Sequence, residues 1–186
     1  MFALNLKITQ MRIIETEAYT FDELSDDAKE NAINNLREIN VDHDWWECTY
    51  ETFRELGIRI EHFDLGRRSE IGIDLIETHH EVAFNIIGTF GENSLKANAE
   101  YFIEQRDKLV KELGEGNEIA GYSVKEGNEV EFDERVETIE GYYFKQIEID
   151  ALHWLRCEFE YLMSDEAIVD TIEANEYEFT KEGKLI

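Results

Sequence analysis

No proline occurs in the 186-residue chain. Such a chain must end its helices with glycine, with asparagine or with side-chain caps, and it holds no proline-rich linker. Gly57, Gly91 and Gly114 stand where helical patterns stop. The clearest pattern lies in 19–57. Ser25 is placed as an N-cap, followed by Asp26 and Asp27 in the first turn, where the helix dipole favours acids. Ala28, Ala32, Ile33 and Leu36 then recur at helical spacing. This helix is expected to end at Asn40 or Val41. A second, capped by Asp42 or Asp44, is expected to turn Trp45, Thr49, Phe53 and Leu56 inward and to stop at Gly57.

The rest alternates between strand and helix signals. Residues 1–18 read as a strand region whose register breaks near Gln10, with a strand over 11–18. Met11 is a candidate second start that would make 1–10 an extension. Ile58 and Ile60, then Ile71, Ile73 and Leu75, alternate and predict a hairpin within 58–76. Over 77–113 two helices are expected. Val82, Ala83 and Ile86 line the first, and Leu95, Ala99, Phe102 and Leu109 the second, with Ser94 as its cap. Residues 114–132 carry four glycines and read as an acidic loop with room for a short strand pair. From Asp133 a long helical pattern runs to Met163 through Val136, Ile139, Tyr143, Ile147, Leu155 and Phe159. Gly141 is positioned to divide it, at about 1 kcal/mol against alanine. Ser164 caps a last helix ended by Asn175, and a hairpin closes the chain. The expected fold is α+β, a single domain over 1–186 with a small antiparallel sheet packed by several helices.

Charge is the outlier. Forty-four acids against eighteen bases give −26, with a pI near 4.4. Such a surface repels nucleic acid and anionic membrane and is drawn to basic partners. The hydrophobic content of 42% still supports a core, burying roughly 70% of the unfolded surface at this length. No run of about 20 apolar residues exists to span a membrane, and 2–8 alternates instead of forming a signal-peptide core. The expectation is a cytoplasmic protein with reduced, buried thiols at Cys48 and Cys157.

No motif names a reaction. There is no nucleophile elbow, phosphate loop or dinucleotide fingerprint. His153 and Cys157 lie at i, i+4, and His43 lies five residues before Cys48. These would hold zinc only if their helices met, and the tight cysteine pairs of structural zinc sites are missing. His79 and His80 point about 100° apart on a helix, so one is expected to face solvent. The chain is therefore read as non-enzymatic, with no cofactor and no metal. The acidic run is the stronger signal. Glu126, Glu129, Glu131, Asp133, Glu134, Glu137 and Glu140 follow one another with few cations between them. Carboxylates three or four residues apart on a helix stand about 5–6 Å from one another. Such a row imitates DNA phosphates in sign and coarse spacing. Trp46 and Tyr50 are expected to add an aromatic edge to the contact. Trp45, Trp46, Tyr50 and Phe53 are not a base-stacking platform, because acids surround them.

The segments YTFDELSDDAKENAI, LREINVDHDWW and TYE within 19–51, with the C-terminal DEAIVDTIEANEYEFTKEGKLI, resemble a family of small acidic proteins encoded by phages and mobile elements. They cover under half the chain and carry no chemical motif. Within that class, acidic inhibitors of host defence nucleases, such as anti-CRISPR proteins against Cas effectors, are the natural comparison. The resemblance implies an anti-defence inhibitor of a basic nucleic-acid-binding protein, with no direct binding to nucleic acid or membrane. An antitoxin-like protein neutralising a basic toxin is the alternative, and a small phage enzyme the further one.

Overall fold

A computed structural model describes residues 17–115, 123–124 and 127–186. The fold is α+β. In chain order it holds β1 (Tyr19–Thr20), α1 (Asp26–Asn35), α2 (Glu47–Glu55), β2 (Ile58–Asp64), β3 (Glu70–Leu75), α3 (His79–Thr89), α4 (Ser94–Leu113), β4 (Gly114–Glu115), β5 (Ser123–Val124), α5 (Glu129–Leu162), α6 (Asp165–Ala174) and β6 (Glu178–Phe179). Among the described residues the strands form three separate antiparallel pairs, β1 with β6, β2 with β3 and β4 with β5. The N-terminal strand therefore pairs with the C-terminal one, and the strands of the 58–75 hairpin pair only with each other among the described residues. The strand expected over 11–18 lies largely outside the described residues. Glu17 and Ala18 have no regular structure, and the pairing starts at Tyr19.

The chain groups into two compact units, a terminal one (Met1–Asp42 with Leu162–Ile186) and a central one (His43–Tyr161). The terminal unit closes over Phe21, Ala28, Ala32, Ile168, Ile172 and Phe179. Ser25 and Ser164 cap α1 and α6, accepting from the Ala28 and Ala167 amides, and Asn175 ends α6. The first helix stops at Asn35, short of the expected Asn40. Beyond it the side chains are committed to tertiary bonds. Asn40 donates to the Leu162 and Ala167 carbonyls, and Arg37 to the Met163 carbonyl. Gly183, at φ +80°, lies so near α1 that a Cβ there would stand 2.1 Å from the Ala28 oxygen, so only glycine fits this turn.

In the central unit α2, α3, α4, α5 and the β2–β3 hairpin enclose Phe53, Leu56, Ile58, Ile86, Phe102 and Ile147. Neither Asp42 nor Asp44 caps α2, which begins at Glu47 after Trp46 with no side-chain cap. Gly57 takes the C′ position at φ +85°, its amide reaching the Arg54 oxygen. Thr78 and Glu81 form a capping box at α3. Asn93, not Ser94, caps α4. Its side chain accepts from the Lys96 amide, and the Ser94 hydroxyl donates to Asp150. The long helix begins at Glu129, four residues before Asp133, because Phe132 anchors an extra turn on Leu109 and Leu113. Gly141 does not divide α5, which runs unbroken for 34 residues.

Candidate functional site

The acidic run lies on the first turns of α5, and the helix sorts it. Successive residues turn about 100°, so Glu129, Asp133, Glu137 and Glu140 share one stripe, with Glu134 beside it and Glu131 across the helix. Glu131 is engaged by Arg135 at 3.4 Å, while the same guanidinium grips Glu112 of α4 through two bonds of 2.9 and 3.1 Å. Glu140 is half-buried and stands 3.6 Å from His79 Nδ1. Glu129 accepts the Gly127 amide at 3.0 Å and stays exposed. Asp133, Glu134 and Glu137 are exposed and, among the described residues, form no ion pair. Glu126 lies outside the described residues. Four of the seven acids thus remain open to a partner, and two are spent inside the unit.

A cleft of about 430 Å³ runs beside the stripe, lined by Asp133, Glu137, Glu140, His79 and Phe144. His79 and His80 are both half-buried, so neither is the solvent-facing residue expected. The His80 ring lies against Phe84 with centroids 4.6 Å apart and planes tilted by 39°, and its two nitrogens are buried without a hydrogen-bond partner among the described residues. Burial pushes both imidazoles below the usual histidine value, with the Arg106 charge adding to it. Glu140 opposes that shift at His79.

Trp46 and Tyr50 are half-buried. Phe63, from β2, draws Trp45, Trp46 and Tyr50 to ring distances of 5.7, 5.6 and 6.2 Å. Trp45 also meets Phe159 at 5.6 Å. The two tryptophans are shared between core and surface, with no one residue facing wholly outward. The exposed aromatic pair is a different one, Tyr101 of α4 with Tyr142 of α5. Sequence reasoning missed it, although each stands one residue before an inward aromatic, Phe102 or Tyr143, and so on the helix flank.

Cys48 and Cys157 are exposed, against the expectation of buried thiols. Cys157 lies two residues past buried Leu155, about 200° round the helix, and Cys48 one residue before buried Thr49. Both line a cleft of about 490 Å³ with Asp150, His153 and Glu158. His153 Nε2 is 3.6 Å from the Cys157 sulfur. Among the described residues no group of three or more His, Cys, Asp or Glu side chains is placed to hold a metal ion. No helix is long and apolar enough to cross a membrane.

Comparison with known proteins returned no matching family model, no matching curated protein and no matching solved structure.

Proposed function

We propose that the protein is a non-catalytic inhibitor that occupies the basic groove of a nucleic-acid-binding partner as an acidic mimic of DNA. One observation carries this reading: Glu129, Asp133 and Glu137 stand exposed on one stripe of α5, with no cation paired to them among the described residues. Each step of four residues advances the charge about 6 Å along the axis. A rigid helix presents that row already in place, so little ordering cost falls on binding. A partner evolved to neutralise phosphates meets these carboxylates with the same Lys and Arg side chains and releases counterions in the same way. The excess charge of −26 speeds encounter with such a groove. The resemblance to acidic phage proteins points to a host defence nuclease, such as a Cas effector, as the partner.

The test is competition. The protein is titrated onto a panel of Cas effectors, each free and with its duplex DNA bound. The expected result is binding to a free effector that DNA blocks. An effector that keeps full affinity while its groove is filled overturns the reading. The isolated protein is expected to show no affinity for duplex DNA tighter than micromolar at physiological salt. A basic toxin from a neighbouring gene, bound in preference to any effector, would favour the antitoxin alternative.

A further inference from the structure

Both cysteines of the chain line one cleft, the one of about 490 Å³ whose walls come from α2, α5 and the start of α4. Thr49, Asp150, His153 and Glu158 line it with them. The two longer walls run antiparallel. Thr49 bonds Glu158, and four residues further along α2 Phe53 meets Trp154, four residues back along α5, at 5.8 Å. Each cysteine stands one residue before its member of the Thr49–Glu158 contact, which turns it about 100° off the line of that contact. In an antiparallel pair the two turns lead to the same flank, so both thiols open onto one cleft without pointing at each other. Packed helix axes stand about 8–10 Å apart. At such an angle the two Cα atoms keep that separation, beyond the roughly 7 Å limit for a disulfide.

The two thiols are not equivalent. His153 lies one turn before Cys157, and its Nδ1 and Nε2 are 3.8 and 3.6 Å from the sulfur. A neutral imidazole so placed takes up the thiol proton as the sulfur attacks. Cys48 makes no hydrogen bond to an imidazole among the described residues. Both thiols and His153 are exposed, so a reagent reaches them. Charge then selects the reagent. Asp150 and Glu158 put two carboxylates on the cleft, no lysine or arginine lines it, and the whole chain carries −26. A reagent with anionic arms is repelled there, and one with ammonium arms is drawn in.

We propose that Cys157 is a thiol-exchange site that takes a low-molecular-weight disulfide with amine-bearing arms. The Cys157 proton passes to His153, the sulfur attacks one sulfur of the disulfide, and the bond between the two reagent sulfurs breaks. The leaving thiolate takes the proton back from the imidazolium. The Cys157 sulfur is oxidised and one reagent sulfur is reduced, leaving a mixed disulfide on Cys157 and one free aminothiol. With Cys48 beyond bridging distance, the mixed disulfide persists instead of resolving into an internal one. The site does not rest on the inhibitor reading.

The experiment treats the whole protein with cystamine at neutral pH and follows adducts by intact mass, with peptide mapping to place them. Bis(2-hydroxyethyl) disulfide, which is neutral, and oxidised glutathione, which is anionic, are run beside it. Each rate is divided by that of the same reagent with N-acetyl-cysteine amide. The expected result is a first cysteamine adduct on Cys157 that does not convert to an internal disulfide. The normalised rates are expected to fall from cystamine through the neutral reagent to oxidised glutathione, by at least about fivefold across the series. Cys48→Ser is expected to leave the cystamine rate unchanged, and Cys157→Ser and His153→Gln each to lower it at least about fivefold. All three positions are exposed, so folding is kept. Equal reaction at both cysteines, an unchanged rate in His153→Gln, an internal disulfide as the main product, or equal normalised rates for cystamine and oxidised glutathione overturns the proposal.

Discussion

Trp45, Trp46 and Tyr50 lie close together in the sequence and turn toward one residue, Phe63, whereas Tyr101 and Tyr142 come from two separate helices and leave about half of each ring in solvent. The sequence reading turns Trp45 inward and places Trp46 and Tyr50 at the recognition edge. The structure makes all three a flank of the core, because a bulge near Glu61 in β2 lets the hairpin present Phe63 to all three rings. The second pair has no such lid. It stands over a cleft whose walls include Asn98, Thr138 and Tyr143. Which aromatics are free for a partner is decided by what a distant strand covers, not by how many rings are adjacent.

That contrast is easiest to break from the packed side. Phe53 is fully buried beneath the first group and meets Trp154 at 5.8 Å. Phe53→Ala is expected to destabilise by about 3–5 kcal/mol, and Phe63→Ala, at a half-buried site, by about 2–3 kcal/mol. Chemical denaturation checks both, and an unchanged midpoint for Phe63→Ala would mean that the three rings do not depend on it. On the open side, Tyr143→Phe removes a buried hydroxyl that has no partner, and the free protein is expected to gain about 1 kcal/mol. A loss of similar size would reveal a hidden hydrogen bond to that hydroxyl. Tyr101→Ala and Tyr142→Ala are expected to change stability by less than about 0.5 kcal/mol.

Acid sharpens the comparison from a third direction, through the two histidines of α3. Burial lowers the folded-state pKa of His79 and His80 below the unfolded value of 6.5. The unfolded chain then binds more protons in the window just below that value, so stability rises with pH there. Their contribution is present above about pH 6.5 and is lost as pH falls through the lowered folded values. Melting temperature is expected to drop from about pH 7.5 to about pH 5.5, and a His79→Gln, His80→Gln double variant should flatten the profile. A variant as pH-sensitive as the parent would place the titration elsewhere.

Much of this is legible in the sequence. Ser25, Gly57, Ser164 and Asn175 mark their helix ends because capping is local chemistry, and the 58–75 hairpin follows from its alternation. Non-local features are not. That the first helix stops at Asn35 depends on carbonyls of residues 162–167, more than a hundred positions away. That α5 starts at Glu129 depends on Phe132 finding Leu109 and Leu113. The acidic run was visible as a run, but helical geometry and two partners, Arg135 and His79, decide which of its members stay open. The Tyr101–Tyr142 pair needed two helices to meet, a contact no periodicity announces.

The most direct measurement of the central claim is the salt dependence of affinity for a Cas effector that the protein binds. Parent and the variant Glu129→Gln, Asp133→Asn, Glu134→Gln, Glu137→Gln are compared across a range of ionic strength. Each exposed pair contributes about 0.2–1 kcal/mol, so four together should weaken binding by about 1–4 kcal/mol, or roughly fivefold to several hundredfold. The predicted result is that loss together with a shallower slope of log affinity against log salt, since fewer counterions are released. An unchanged affinity and slope would contradict the account and leave the stripe on α5 as a solvated face.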